Sequence, residues 1–371
     1  MPSSLKDLYN QEFFTCFGEK AQKCIPGFVL QEYLDLTMDN SWQNLELKQR
    51  MRKAAISLRP FMPHDFQENF LVYNNLILEI ISDNSVQYSG LLYMFLAEYI
   101  EVFGIDYPEI ALQMMEILTP LASCEFAIRP FIVKYPQILI PKLMEWTQHP
   151  NEHVRRLASE GSRPSLPWAM ALPEFKKNPS LVIPILENLI QDESEYVRRS
   201  VANSLNDISK IHPDLVIDLA EKWVNGYLPT NKLMKHACRT LLKQGNERAL
   251  KVFGIFFSDT VKLKQFNIEK NEIRLGERLD FEFAIENMDE KEQKIRLEYV
   301  LYFLLQNNNY GKKVFQISEL LLASKQNKSF KKSHSFRIMT TRKYYQGPQK
   351  IGICINGKEL EVIPFYLRTI V

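Results

Sequence analysis

The residues best suited to chemistry lie in one short run, VRRLASEGSRPSLPWAM, at positions 154–170. The run carries a single carboxylate, Glu160, between two arginines, Arg156 and Arg163, and it ends in an indole, Trp168. A carboxylate in a basic groove would repel a polyanion if binding were its only role, which favours a chemical role for Glu160. The same glutamate could instead pair with Arg156 four residues earlier on a helix. The run alone leaves both interpretations open.

The spacing of this run predicts a helix with two different sides. Its three charged positions share one side of a helical wheel, whereas Val154 and Leu157 lie opposite them. We therefore predict a charged stripe that faces outward and an apolar side that packs on a neighbouring helix. Pro164 and Pro167 are predicted to end the helix, so that Trp168 leaves the helical lattice.

Internal repeats predict how this helix is positioned. Residues 135–160 match residues 178–203 without a gap at an offset of 43 residues, and weaker copies begin at Tyr107 and His212. Each copy reads as a helix that starts with proline, a polar turn and a second helix. Repeats of this length and pattern predict a mainly α fold, a HEAT-like solenoid of helix pairs, over residues 1–257.

The pattern changes after the helical repeats, and residues 258–371 are predicted to form a small immunoglobulin-like β-sandwich. About seven segments are rich in β-branched and aromatic residues, and an Asn-Gly hairpin turn occurs at Asn356. Lysine-rich connections between these segments could reach a phosphate backbone or could simply confer solubility. Their sequences are NNNYGKK, SKQNKSFKKSH and TTRKYYQGPQK.

Charge is distributed unevenly along the 371 residues. The net charge is −8 over residues 1–124, +4 over residues 125–258 and +6 over residues 259–371. This gradient favours a polyanionic partner for the later two-thirds of the chain, although an ordinary solvated surface would also explain it. Five scattered cysteines, no leader-like N-terminus and no long apolar run predict a cytoplasmic protein without a membrane partner.

No cofactor is expected. The sequence contains no phosphate-binding loop or dinucleotide-binding glycine motif. His149 and His153 are four residues apart, but Pro150 interrupts the helix between them and no third ligand is near, so a metal site is not predicted.

The pattern from Arg156 to Trp168, Arg-Leu-Ala-Ser-Glu-Gly-x-Arg-Pro-x-x-Pro-Trp, resembles the bacterial DNA alkylation-repair glycosylases built from HEAT-like repeats. It is most similar to the AlkC branch, with AlkD as the sister branch, and the similarity extends over residues 1–257. Some members of that branch carry an added immunoglobulin-like domain. The resemblance implies a monofunctional glycosylase that removes cationic bases such as 3-methyladenine and 3-methylcytosine without flipping them into a deep pocket.

The resemblance also implies a set of site residues. Glu125, in SCEFAIRPF, matches the family's glutamate near the start of a helix in the preceding repeat, Glu160 matches the glutamate before Gly161, and Trp168 matches the tryptophan of the Pro-Trp pair. These three are predicted to be catalytic, with Glu160 positioning rather than reacting. The residues predicted to hold DNA phosphates are four arginines: Arg129, Arg156, Arg163 and Arg199.

Two other functional classes remain open at this stage. The chain could be a HEAT-repeat module that binds unusual DNA structures without chemistry, or a scaffold that holds other proteins. The retained carboxylates argue against the first, and the basic second helices argue weakly against the second. We expect a monomer that acts at the nucleoid, with double-stranded DNA containing alkylated bases as its partner.

Overall fold

The computed structural model describes residues 4–83, 90–224, 226–339 and 342–369. Its internal contacts divide the chain into two compact units, Met1–Ile211 and His212–Val371. In the part of the first unit that the structure describes, all regular structure is helical. The α-helices are α1 Gln11–Cys24, α2 Leu30–Thr37, α3 Leu47–Leu58, α4 Asn69–Ser82, α5 Met94–Gly104, α6 Pro108–Leu118, α7 Ile128–Lys134, α8 Pro136–Trp146, α9 Glu152–Gly161, α10 Pro173–Lys177, α11 Ile183–Leu189 and α12 Glu195–Ser209.

The second unit begins with four short helices and continues with eight strands among its described residues. Its helices are α13 Pro213–Trp223, α14 Leu228–Ala237, α15 Arg239–Lys243 and α16 Glu247–Val252. Its strands are β1 Val261–Ile268, β2 Glu272–Arg274, β3 Arg278–Asn287, β4 Gln293–Leu304, β5 Tyr310–Leu322, β6 Asn327–Ser335, β7 Gly347–Ile355 and β8 Lys358–Arg368. The domain boundary predicted after residue 257 lies inside this unit, between α16 and β1, and stays a prediction.

The predicted mainly α fold with helix pairs is confirmed. The repeat at 135–160 forms α8 and α9, and the repeat at 178–203 ends in α12. Pro136 starts α8 at the first helical position, where its missing N–H costs nothing. The second repeat differs locally, because residues 179–181 form a 3₁₀ turn before α11 begins.

Aromatic packing stabilises the N-terminal helices of the first unit. Tyr9, Phe13 and Phe14 on and before α1 are almost fully buried. Phe14 meets Trp42 edge to face at 5.6 Å between ring centroids, and it contacts Phe95 of α5 at 6.1 Å. Such pairs add about 0.5–1.5 kcal/mol each beyond the area they bury. In the residues that the structure describes, no helix combines the length and the apolar character needed to cross a bilayer.

The strands form the two sheets of a sandwich, as predicted. One sheet has the order β1-β3-β6, and the other has the order β2-β8-β7-β4-β5. Inward-facing side chains of both sheets form one apolar cluster that includes Phe283, Leu297 and Ile353. The hairpin between β7 and β8 turns at Asn356 and Gly357, whose φ angles of 48° and 83° are left-handed, as the Asn-Gly pair predicted.

Two of the lysine-rich segments predicted to be connections are largely strand. Residues 324–334 provide most of β6, an edge strand paired with β3 alone, and residues 307–313 provide the start of β5. The lysines misled the prediction because they occupy the exposed edge, where charge is tolerated and prevents edge-to-edge association. The third segment ends in β7, and its residues 340 and 341 lie outside the described part.

A close approach between α7 and α9 gives a testable consequence. A Cβ added at Gly161 would lie 2.8 Å from Cγ2 of Ile128, which is tighter than side chains tolerate. We expect Gly161→Ala to lower the free energy of unfolding by about 1–3 kcal/mol, measured by urea denaturation, although alanine favours helices. In an Ile128→Ala background the same change should cost much less, and an equal cost there would contradict this packing argument.

Candidate active site

Helix α9 is positioned by its apolar side. The side chain of Asn151 caps its N-terminus by accepting from the backbone N–H of His153, while Val154 and Leu157 are fully buried. The opposite side does not face outward as predicted: Glu160 is 5% exposed and Arg163 is 7% exposed. Helix α12 packs against α9 and covers part of the charged stripe.

The covered stripe is part of a chain of alternating charges. The carboxylate of Glu125 lies 2.8 Å from Nη1 of Arg156, and Nη2 of Arg156 lies 3.9 Å from Oε1 of Glu160. Arg163 donates to the same Oε1 at 2.5 Å and reaches Asp207 of α12 at 2.9 Å. Burial opposes the charged form of Arg163, but Glu160 and Asp207 raise its pKa overall.

Glu125 and Arg156 also line a cleft of about 310 Å³. The hydroxyl of Ser123 donates to Oε2 of Glu125 at 2.9 Å and accepts from Nη1 of Arg156 at 3.3 Å. Arg156 stacks over the ring of Tyr196, 4.6 Å from its centroid, and burial raises the pKa of that tyrosine. The cleft therefore presents a carboxylate fixed by a hydroxyl and a guanidinium. Glu160, whose side chain is almost fully buried, is not among the residues that line this cleft.

Trp168 lies on a loop whose backbone is held by side-chain hydrogen bonds. Its φ of 66° is left-handed, a conformation that costs a residue with a side chain about 1–3 kcal/mol. Its side chain is 64% exposed. Lys48 of α3 donates to the carbonyl of Trp168 at 2.8 Å, and Arg129 donates to the carbonyl of Met170 at 2.6 Å.

Lys48 also connects this loop to the segment that carries Glu125. Its ammonium lies 5.3 Å from the ring centroid of Phe126. The backbone of Trp168 and the residue after Glu125 are therefore within reach of one side chain.

The prediction that Arg129 and Arg163 face DNA phosphates is contradicted by their burial. Arg129 has no exposed surface, and it also donates to the carbonyl of Gly161 at 2.9 Å. Burial, with the like charge of Arg163 nearby, lowers the pKa of Arg129 to about 10. Arg163 is held between Glu160 and Asp207. Both arginines maintain the site from within.

The paired arginines of the two repeats divide into inner and outer members. Arg155 is buried and bonds Asp192 at 2.7 Å, which ties its repeat to the next one. Arg198 donates to the backbone carbonyls of Asp192 and Glu193. Arg199 is exposed and pairs with Glu195 at 3.0 Å, apart from the alternating chain. Arg199 is thus accessible to a ligand.

Four residues contribute to the site but were not predicted from the sequence: Asp207, Lys48, Ser123 and Tyr196. Asp207 lies on the same side of α12 as Ser200, whose hydroxyl bonds Ser159 of α9 at 2.7 Å. That stripe of small residues, Ser200, Ser204 and then Asp207, was a signal of close helix packing around a buried acid. Lys48 gave no signal, because 120 residues separate it from Trp168.

No ligand set for a metal is present in the part of the chain that the structure describes, where no three His, Cys, Asp or Glu side chains cluster suitably.

The fold combines a helical domain of the DNA alkylation repair family with an immunoglobulin-like domain. Residues 122–241 match the family model described as DNA alkylation repair enzyme, and residues 262–369 match the C-terminal Ig-like domain of the uncharacterised protein YhaZ. The chain belongs to the DNA alkylation repair family, as its similarity to two relatives over almost its whole length shows.

Two relatives cover almost the whole chain. It is 38% identical over 363 residues to the uncharacterized protein YhaZ of Bacillus subtilis (strain 168), covering 98% of this chain and 99% of that one. It is 33% identical to the Pseudomonas fluorescens alkylpurine DNA glycosylase AlkC, solved bound to DNA containing an abasic site analog, with a TM-score of 0.93 over 99% of this chain and 100% of that one.

The anchoring of the Trp168 loop can be measured directly, because the other tryptophans, Trp42, Trp146 and Trp223, are at most 9% exposed. We expect Lys48→Met to remove a hydrogen bond worth about 0.5–1.5 kcal/mol and to loosen the loop. Time-resolved fluorescence anisotropy should then show faster local rotation of Trp168.

Lys53→Met is the matched control, because Lys53 lies on the same helix and pairs with Asp39 at 2.7 Å. The fast anisotropy component should be unchanged in Lys53→Met and absent in Trp168→Phe. Identical decays in Lys48→Met and the wild type would show that the lysine does not hold the loop.

The buried end of the alternating chain should contribute strongly to stability. In Asp207→Asn, the buried guanidinium of Arg163 keeps only the carboxylate of Glu160 as a partner. We expect the free energy of unfolding, measured by chemical denaturation, to fall by up to about 3–5 kcal/mol. Asp106→Asn is the control, because its pair with Lys134 is exposed and should cost less than about 1 kcal/mol. Equal small losses would disprove the importance of the buried pair.

Proposed function

We propose that this protein is a monofunctional DNA N-glycosylase that excises cationic alkylated bases, such as 3-methyladenine and 3-methylcytosine, from double-stranded DNA. The observation that carries the proposal is the carboxylate of Glu125, fixed at a cleft by Ser123 and Arg156. Membership of the DNA alkylation repair family and the whole-chain similarity to an alkylpurine DNA glycosylase support it.

The chemistry required is electrostatic. An N-alkylated base already carries a positive charge, so it is a good leaving group without a general acid. As its glycosidic bond breaks, positive charge moves to the deoxyribose, and a fixed carboxylate beside C1′ stabilises this oxocarbenium-like state. Glu125 takes this role and orients the attacking water, because it is the carboxylate at the cleft. Glu160 is a positioning residue that fixes Arg156 and Arg163.

Trp168 supplies attraction that depends on charge. The face of an indole attracts a cation by about 0.5–2 kcal/mol, and the exposed indole of Trp168 is free to pack on the sugar or on the alkylated base. The small, open cleft is consistent with a base that is not flipped into a deep pocket. Arg156 and the exposed Arg199 are the arginines of the predicted set that remain candidates for phosphate contacts.

A second candidate is a non-catalytic protein that binds unusual DNA structures. The ion pair between Glu125 and Arg156 favours it, because a carboxylate neutralised at 2.8 Å is weaker towards a developing cation. The same experiment separates the two candidates.

The test is product analysis of methylated duplex DNA after incubation with the purified protein. The wild type should release free methylated base and leave abasic sites. Glu125→Gln should lower the single-turnover rate by about 10²–10³-fold, because one preorganised charge is lost. Trp168→Ala should lower it by about 2- to 30-fold, while Trp168→Phe retains an aromatic face and part of the rate.

Glu145→Gln is the matched control, because Glu145 is an exposed glutamate paired with Lys142 at 2.7 Å. Its rate should equal that of the wild type. Full activity in both Glu125→Gln and Trp168→Ala would contradict the assignment of these two residues to the active site. Tight binding to branched or bulged DNA, without release of any base, would favour the non-catalytic candidate.

A further inference from the structure

Arg156 links the buried part of the alternating chain to the cleft. Its Nη1 lies 2.8 Å from Oε2 of Glu125 and donates to the hydroxyl of Ser123 at 3.3 Å. Its Nη2 lies 3.9 Å from Oε1 of Glu160, which is too far for a hydrogen bond. The guanidinium is therefore held at the cleft mainly by Glu125.

Both glutamates beside Arg156 keep a partner if that arginine moves away. Arg163 donates to Oε1 of Glu160 at 2.5 Å, and the hydroxyl of Ser123 donates to Oε2 of Glu125 at 2.9 Å. Glu125 also lines the cleft, where water can solvate its charge. Breaking an ion pair inside a protein is strongly destabilising when it leaves a buried charge uncompensated. The pair between Arg156 and Glu125 can open without that consequence.

The ring of Tyr196 provides a surface over which the guanidinium can move. Cζ of Arg156 lies 4.6 Å from the ring centroid, and Tyr196 is 41% exposed at the wall of the cleft. A cation is attracted to an aromatic face anywhere within about 6 Å of its centroid, so this contact does not fix one position. Arg156 can thus stay in contact with α12 while its N–H groups turn from one acceptor to another.

A DNA phosphate is an acceptor well suited to a guanidinium. Two N–H groups of an arginine can bind two phosphate oxygens in parallel, and such charge-assisted pairs are among the stronger hydrogen bonds in proteins. A carboxylate that has lost its counter-ion acts with its full charge on a developing cation. One movement of Arg156 would therefore satisfy a phosphate and also expose the charge that the reaction requires.

We propose that Arg156 is a positioning residue with two alternative partners: it neutralises Glu125 in the free protein, and it moves to a backbone phosphate when duplex DNA binds. The neutral pair lets a phosphate approach the cleft without repulsion by a bare carboxylate. Glu125 then carries its full charge only beside a bound substrate. The proposal rests on the proposed function for the reaction, and on the contacts of Arg156 for the movement.

The test is a double-mutant cycle in affinity for a duplex that contains a stable abasic analogue. The cycle compares the wild type with Glu125→Gln, Arg156→Gln and the double variant. If the pair opens on binding, Glu125→Gln removes the cost of opening it and should improve affinity more when Arg156 is present. We expect the two improvements to differ by at least about 2-fold, as is usual for residues in contact. An equal or smaller improvement in the presence of Arg156 would overturn the proposal.

Asp106→Asn and Lys134→Gln form the control cycle, because this pair is exposed and lies outside the lining of the cleft. Their effects on affinity should be additive. Coupling of the same size in the control cycle would show that general charge effects, rather than the opening of one pair, cause the result. That outcome would also overturn the proposal.

Kinetics of base release provide a readout that a merely structural role would not give. Arg156→Gln should raise the DNA concentration at half-saturation by about 10-fold, because a charge-assisted bond to a phosphate is lost. It should lower the single-turnover rate at saturating DNA by a smaller factor, because Glu125 is already free of the arginine at that stage. Arg156→Lys keeps the charge and should recover part of the lost affinity. A fall of about 10²–10³-fold in the saturated rate of Arg156→Gln would place the arginine in the transition state and contradict the proposed movement.

The two proposals fail in different ways. A coupled cycle in a protein that releases no base from methylated DNA would support the movement of Arg156 and overturn the glycosylase. Base release by the wild type with an additive cycle would overturn the movement alone. A wild type without affinity for duplex DNA would overturn both.

Discussion

The site depends on burying charge in an alternating chain. Moving a single ion out of water costs several kcal/mol, and this cost is met only when neighbouring opposite charges and hydrogen bonds are well placed. Glu160 and Arg163 satisfy that condition because Arg156 lies on one side and Asp207 lies on the other. The position of Glu125 at the cleft is consequently tied to Asp207 of α12. Rigidity of this kind is what an electrostatic site requires, since reorganising dipoles would waste the interaction.

Cations also fix the loop that carries the indole of Trp168. A tryptophan in a left-handed conformation persists only where its surroundings fix it. Here two cations, Lys48 and Arg129, fix it by donating to the backbone carbonyls of Trp168 and Met170. The aromatic face thus remains exposed while its backbone is held. An arginine that the sequence suggested for phosphates acts instead as an internal clamp.

In the second unit, composition alone did not reveal where the charged residues lie in the fold. The lysine-rich segments read as loops are mostly the exposed faces of β5 and β6, because period-two alternation is obscured where both faces of an edge strand are polar. The apolar strands β3, β4 and β7 were evident, since their buried residues form the sandwich core. Basic residues of α14 and α15 were unremarkable one by one, and only folding gathers them in one cleft.

The sequence by itself determined the helix pairs, the β-sandwich, the break after α9 and the identities of Glu125, Glu160 and Trp168 as candidates. These follow from local periodicity, from proline and from a motif, all of which lie within a few tens of residues. The tertiary structure decided which charges are buried, because burial depends on the helix that packs opposite. It turned an outward stripe into an internal chain, added Asp207 and Lys48, and removed Arg129 and Arg163 from the surface. Contacts between residues that are far apart in the sequence leave no periodic pattern, so they could not be predicted from the sequence.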